Sequence, residues 1–127
     1  MHGSNHVSLE RVHEIGLAFN RHDIDFIVDS FAEDGVFRNA MGSDGAGNTY
    51  RGRKEIRAFF EKLFASSPDI EWRASAEYVS GNHGVAEWHR TATTASGEKQ
   101  DWLGCDLFTF RDNMIVLKDT YFKIIER

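Results

Sequence analysis

The change from helical to strand periodicity half-way along the chain is the feature that most constrains its fold. Four segments after that point are rich in β-branched and aromatic residues and alternate in polarity: "DIEWRASAEYVSG", "GVAEWHRTATTASG", "EKQDWLGCDLFTFRD" and "MIVLKDTYFKIIER". Turn-forming residues at 81–84, 96–97 and 112–113 separate them. Short turns join antiparallel neighbours, so these segments predict an antiparallel meander.

The first half of the chain has helical patterning. Leu9, Val12, Ile15 and Phe19 recur at helical spacing in the first segment. A second helix follows a capping Asp23, and a third is predicted over about residues 53–65. The short strand "GVFRN" and the Gly-rich stretch "AMGSDGAGNTYRG", predicted as a loop, precede the third helix. Three N-terminal helices packed on a strongly curved, mainly antiparallel sheet make an α+β cone with a central pocket.

Composition narrows the domain organisation and the partners. The 127 residues suit a single domain, predicted over residues 9–127, after a disordered N-terminus or expression remnant at residues 1–8. The net charge is −5 and the basic residues are scattered, so no nucleic-acid partner is expected. No apolar run is long enough for a membrane span. The single cysteine excludes an internal disulfide, and we expect a cytoplasmic protein.

Three segments carry a family resemblance that covers nearly the whole chain. "FNRHDIDFIVDSFAEDGVF" resembles the helix-turn-helix opening of the nuclear-transport-factor-two-like superfamily, "YRGRKEIRAFF" its third helix and "GCDLFTFRDNMIVLKDTYF" its final hairpin. Within that superfamily the sequence is most similar to the SnoaL-like group, which includes polyketide cyclases. The resemblance implies the cone fold, and that fold hosts many chemistries as well as non-catalytic members.

Two enzyme classes of the superfamily match the sequence only in part. The resemblance to ketosteroid isomerases puts Asn39 at the position of their general base and an apolar residue at that of their Tyr, and only Asp106 matches. The resemblance to limonene epoxide hydrolases matches Asn39, replaces a Tyr by Phe37, and puts Glu87 and His89 in place of an Arg-x-Asp pair. Neither steroid isomerisation nor epoxide hydrolysis is therefore expected.

The polyketide cyclases are closest in chemistry, since they use a His and an Asp from neighbouring strands without a cofactor. The resemblance implies His89 and Asp106 as catalytic residues, and Glu87, beside them on the concave face, is a third: either Asp106 or Glu87 would be the base and His89 its partner. We therefore expect a cofactor-independent acid/base enzyme, a cyclase, isomerase or hydrolase without a metal site, acting on a small hydrophobic carbonyl-bearing substrate. Two alternatives stay open. The chain could be a non-catalytic ligand-binding or dimerisation module, or these side chains could form a buried polar network.

The remaining site residues follow from which face of each strand they share. Six residues are predicted to bind the substrate: Phe37, Asn39, Trp102, Phe108, Thr120 and Phe122. Trp88 and Arg90 alternate with Glu87 and His89, so they are predicted to lie on the outer face of the sheet. Trp and Arg are common in protein interfaces, and this face is therefore expected to form a homodimer.

Overall fold

A computed structural model describes residues 6–124 as three helices and one six-stranded sheet. The helices are α1 (Leu9–Asn20), α2 (Ile24–Ser30) and α3 (Gly52–Ser66). The strands are β1 (Phe31–Arg38), β2 (Thr49–Arg51), β3 (Glu71–Ser80), β4 (His83–Thr93), β5 (Lys99–Arg111) and β6 (Met114–Phe122). Within these residues, no helix is long and apolar enough to cross a membrane.

The first two helices begin at side-chain caps that the sequence provides. Ser8 Oγ accepts a hydrogen bond from Arg11 N at 3.0 Å, and Asp23 Oδ1 accepts one from Phe26 N at 3.2 Å. Each cap satisfies a backbone N–H that has no partner within its helix. Packing begins even before α1, because Val7 is buried and donates its N–H to Gly81 O. The packed domain thus already includes Val7, earlier than the predicted start at residue 9, whereas residues 1–5 lie outside the described part of the chain.

The sheet has the order β2-β1-β6-β5-β4-β3. Strands β3 to β6 pair antiparallel with their sequence neighbours, while β1 runs parallel to β6. The predicted α+β class and the antiparallel meander are confirmed. Two elements differ from the prediction: β1 begins at Phe31, before the predicted "GVFRN", and β2 lies inside the stretch predicted as a loop.

The core lies between the three helices and the concave face of the curled sheet. Residues with no exposed surface, such as Ile15, Ile27 and Ile56, come from all three helices. The sheet side contributes Phe37 from β1 and Phe110 from β5. Register shifts in the β3–β4 and β5–β6 pairs mark bulges, which increase the local twist of the sheet.

The predicted orientation of β4 is wrong. Trp88 is 5% exposed and, with Ala86 and Ala92, faces the core, whereas Glu87 is exposed. Successive side chains of a strand point to opposite faces, so His89 shares the outer face with Glu87. The physical reason is burial: Ala86, Trp88 and Ala92 lie on one face of β4, and that face covers the core.

Candidate functional site

Two adjoining cavities lie inside the cone. The larger has a volume of about 310 Å3, and the smaller has about 200 Å3. Trp72, Trp88 and Lys118 line both cavities, which therefore meet at these side chains. The larger cavity reaches the lower end of the range of roughly 300–1,000 Å3 that is typical of small-molecule sites. Seven aromatic side chains line it: Phe37, Phe59, Phe60, Trp72, Trp88, Trp102 and Phe122.

A buried ion pair between Asp106 on β5 and Lys118 on β6 stands where the cavities meet. Lys118 Nζ donates to Asp106 Oδ1 at 3.0 Å, and the side chains of Lys118 and Asp106 are only 6% and 10% exposed. Thr120 Oγ1 accepts from Lys118 Nζ at 2.8 Å and donates to Asp106 Oδ1 at 2.6 Å. Lys118 and Thr120 share the inner face of β6, so alternation along this strand builds one side of the network.

Trp88 completes the hydrogen bonding of Asp106 from the other side. Its Nε1–H donates to Asp106 Oδ2 at 3.0 Å. Gly104, opposite Trp88 in the β4–β5 register, makes room for the indole, because a Cβ there would lie 2.7 Å from Trp88 Cη2. Asp106 thus accepts hydrogen bonds from three donors, two at Oδ1 and one at Oδ2. A carboxylate has about four acceptor sites, so Oδ2 retains one.

The ammonium group of Lys118 also lies against aromatic rings. Its Nζ is 4.4 Å from the centroid of Phe37, 5.1 Å from that of Phe19 and 5.9 Å from that of Phe60. Ring faces carry negative electrostatic potential and attract a cation within about 6 Å. The rings and the Asp106 carboxylate therefore together compensate the charge of Lys118 in a site that water barely reaches.

Arg90 is the second cation of the larger cavity. Its guanidinium lies 4.6 Å from the centroid of Trp102, and its Nη1–H donates to Gln100 Oε1 at 2.9 Å. Burial lowers the pKa of Arg90 to about 10, since removing water disfavours the charged form. That value is still well above neutral pH, so the larger cavity keeps a positive charge.

The structure brings some predicted site residues together and separates others. Phe37, Asn39, Trp102, Thr120 and Phe122 line the larger cavity. Asp106 and Phe108 line the smaller one.

His89 and Glu87 lie on the other side of the sheet from Asp106. His89 pairs with Asp101 on the outer face, and its register partner on β5 is Leu103. The predicted pairing of His89 with Asp106 is therefore wrong, and so is the placement of Glu87 in the pocket. Trp88 and Arg90, predicted on the outer face, line the cavity instead, so their assignment to a dimer interface is wrong as well.

Lys118 is not among the site residues predicted from the sequence, although the sequence contains a signal for it. Thr120 and Phe122 were placed inward, and strand alternation puts Lys118 on the same face. A lysine on an inward strand face is rare and needs a partner. Asp106, already predicted inward on the neighbouring strand, is that partner.

Metal-ligating side chains are not grouped in the described part of the cone. Among residues 6–124, no cluster of three or more His, Cys, Asp or Glu side chains could hold a metal ion. The single thiol, Cys105, lies on the outer face of β5, where burial and the neighbouring charges of Asp106, Glu87 and Asp119 raise its pKa above the usual value. A raised pKa leaves little thiolate at neutral pH, so Cys105 is a poor nucleophile.

The family model of the SnoaL-like domain matches residues 9–118, which include the three helices, strands β1 to β5 and the first part of β6 as far as Lys118. The chain belongs to the SnoaL-like domain family. No curated protein matches the sequence. The SnoaL-like match confirms the resemblance drawn from the sequence, and it brings a fold of the small-molecule-binding type.

Solved structures share the fold of this SnoaL-like domain at low identity. An NTF2-like protein of unknown function from Burkholderia pseudomallei has a TM-score of 0.79 at 20% identity, over 97% of this chain and 92% of the other. Bal32a, from a soil-derived mobile gene cassette, has a TM-score of 0.78 at 20% identity, over 89% and 86%. TerC, co-crystallised with polyporic acid, has a TM-score of 0.76 at 20% identity, over 90% and 89%. These likenesses establish the fold.

Proposed function

We propose that this SnoaL-like domain is a cofactor-independent acid/base enzyme that acts on a small, mostly apolar, carbonyl-bearing molecule held in the cone. The observation that carries the proposal is the buried Asp106–Lys118 pair at the junction of two cavities. A buried ion pair is weak support for stability, because desolvation offsets most of the Coulombic attraction. Ionisable groups in such a cleft are concentrated at functional sites.

The pair contains the two groups that an enolisation needs, a base and a donor to the developing oxyanion. Lys118 faces the larger cavity and would hydrogen-bond the carbonyl oxygen of the substrate, stabilising the negative charge that develops there. Asp106 Oδ2 has a remaining acceptor site and would take the proton from the neighbouring carbon. Thr120 links the two groups through hydrogen bonds and would hold their relative positions.

A non-catalytic ligand-binding module is the second candidate, and one observation favours it. Asp106 already accepts three hydrogen bonds, so most of its acceptor sites are occupied before a ligand binds. Both candidates use the same cavity. TerC, which shares the fold and was co-crystallised with polyporic acid, supports a small-molecule occupant for either.

Hydrogen–deuterium exchange of 2-tetralone separates the two candidates. This neutral ketone carries an activated C–H next to its carbonyl, and proton NMR in D2O follows the loss of that signal. We expect the wild-type protein to raise the exchange rate about 100-fold or more above a variant without the acid/base pair. Binding of 2-tetralone without accelerated exchange would contradict catalysis and favour the binding module.

The comparison needs a folded variant that lacks the pair. Lys118→Met combined with Asp106→Leu removes both charges and keeps the side-chain shapes, so this double variant is expected to fold. His89→Ala is the matched control, since His89 lies on the outer face. Its exchange rate should stay within about twofold of wild type, because it contributes nothing to the electrostatics of the cavity.

We also propose a homodimer through the outer face of the sheet, although not through the residues first predicted. Leu103 and Leu107 on β5 and Tyr121 on β6 are exposed there by 59%, 41% and 52%. Contiguous exposed apolar surface is typical of interfaces. Sedimentation should give a dimer for the wild type and a monomer for Leu103→Glu. Leu9→Glu, at an exposed leucine on α1, should leave the dimer intact.

A further inference from the structure

Arg90 differs from the other cation of the cavity because no carboxylate of the described chain neutralises it. Lys118 is paired with Asp106, but no Asp or Glu oxygen among residues 6–124 lies within 4.0 Å of the Arg90 guanidinium. The one described hydrogen bond of that group goes to the neutral Gln100 Oε1. A guanidinium has five N–H donors, so most of its donors are available.

The position of Arg90 makes these donors useful to a ligand. The guanidinium lies over the ring of Trp102 at the wall of the larger cavity, and this contact helps to fix its position. Burial lowers its pKa to about 10, which means that its charge is poorly solvated where it stands. An anion from the ligand would relieve that desolvation, and the forked geometry of Arg suits a planar anionic oxygen group.

Two amides that line the larger cavity add neutral donors, and Gln100 contacts Arg90 directly. Gln100 Oε1 accepts from Arg90, which leaves the Gln100 NH2 group to donate. Asn39 Oδ1 accepts from Ala40 N at 2.8 Å, which likewise leaves its NH2 group. Both amides line the same cavity as Arg90, and aromatic side chains are the largest group in the rest of the wall. The cavity thus combines flat apolar walls with a group of donors that has no acidic partner.

We propose that Arg90 is a specificity-determining residue that binds an anionic oxygen group, a carboxylate or an enolate, on an aromatic or similarly planar ligand. This inference rests on the proposed function only in that the cavity holds a small molecule. It adds a substrate class: the apolar body stacks among the aromatic side chains, and the anionic group reaches Arg90 and Gln100.

Matched pairs of probes test the charge of the ligand separately from its shape. For a carboxylate the pair is 2-naphthoate and the neutral 2-naphthamide. For an enolate the pair is 2-hydroxy-1,4-naphthoquinone and its neutral methyl ether, 2-methoxy-1,4-naphthoquinone. Isothermal titration calorimetry at neutral pH should give at least one anion an affinity about tenfold or more above its neutral partner.

Substitutions then assign that preference to Arg90. Arg90→Gln should lower the affinity for the preferred anion about tenfold and change that for the neutral partner less than about twofold. Arg90→Lys keeps the charge and should retain part of the preference, which covers the case in which Arg90→Gln does not fold. Arg57→Gln is the charge-matched control, because Arg57 lies on α3 and pairs with Asp25 at the surface. This control should bind like wild type.

The results distinguish this inference from the proposed function. Equal affinities for the anion and its neutral partner in both pairs overturn the inference. A loss of anion affinity in Arg57→Gln as large as that in Arg90→Gln also overturns it. Binding of none of the four probes overturns both the inference and the cavity as a ligand site. An Arg90-dependent preference for an anion supports the inference even where 2-tetralone exchange fails, and in that case only catalysis is refuted. The pair that shows the preference identifies carboxylate or enolate.

Discussion

Removal of the ammonium group of Lys118 is the perturbation whose energy the structure defines best. In Lys118→Met the Asp106 carboxylate stays buried at 10% exposure and keeps only the neutral donors Thr120 and Trp88. Breaking a buried ion pair by removing one partner costs about 3–5 kcal/mol. Domains of this kind have a free energy of unfolding of about 5–15 kcal/mol, so this single substitution removes a large share of it.

The partner substitution and the double variant complete a thermodynamic cycle. Asp106→Leu has the same branched shape and leaves Lys118 buried without its carboxylate, so it should also cost about 3–5 kcal/mol. The double variant has no unpaired charge and loses only the acceptor of Trp88 Nε1–H and Thr120 Oγ1–H, which costs about 1–3 kcal/mol. The coupling energy between the two sites is therefore expected to be about 3 kcal/mol or more.

Urea unfolding followed by tryptophan fluorescence measures all four free energies. Trp72, Trp88 and Trp102 all line the larger cavity, so the signal reports on the site itself. If the double variant loses as much free energy of unfolding as the two single variants together, the reasoning is refuted, because additivity means that the two groups do not interact. A loss below about 1 kcal/mol for Lys118→Met would refute it too, since exposed ion pairs have that magnitude.

Further predictions concern the indole, the thiol and an acid-sensitive turn. Gly104→Ala should cost about 1–3 kcal/mol in urea unfolding and change the near-UV circular dichroism, because the new Cβ would lie 2.5 Å from Tyr121 O. Iodoacetamide should alkylate Cys105 more slowly at pH 8 than free N-acetylcysteine, and equal rates would contradict the raised pKa. Because the pKa of Cys105 is raised in the folded state, the protonated thiol adds to the free energy of unfolding below the usual thiol pKa. This contribution is lost as pH rises through the folded-state pKa. Cys105→Ser has no thiol and should not show this loss at alkaline pH. Hydrogen bonds from Thr93 lower the pKa of Asp69, whose stabilising effect is therefore present above pH 3.8 and lost as pH falls through the lower value. Asp69→Ala should be less stable than wild type at neutral pH and approach it in acid, as thermal unfolding across pH will show.

Patterning predicted the fold well because burial dictates it over long segments. Helical spacing located α1 and α3 to within about a residue or two, and alternation with turns located β3 to β6. The short strand β2 was missed because only Thr49, Tyr50 and Arg51 form it, beside a glycine-rich loop. Its pairing with β1 is a tertiary contact, and local sequence carries little information about such contacts.

The candidate site was harder to predict because a strand slip of one residue exchanges its two faces. Family resemblance placed Glu87 and His89 inward, while the buried apolar face of β4 carries Trp88. Local patterning alone favoured the Trp88 face, since Ala86 and Ala92 share it. The hydrogen bond from Trp88 to Asp106 could not be read from one strand, because it depends on the β4–β5 register and on the space above Gly104.

NMR of the lysine ammonium groups tests the central claim most directly, because it observes the Lys118–Asp106 pair in the cavity. The other lysines are all exposed: Lys54, Lys62, Lys99 and Lys123. Proton–nitrogen correlation spectra at neutral pH should show one ammonium signal protected from exchange with water, absent in Lys118→Met and shifted by 2-tetralone. A protected signal that saturating 2-tetralone leaves unshifted, or no protected signal at all, would contradict a charged, ligand-facing Lys118.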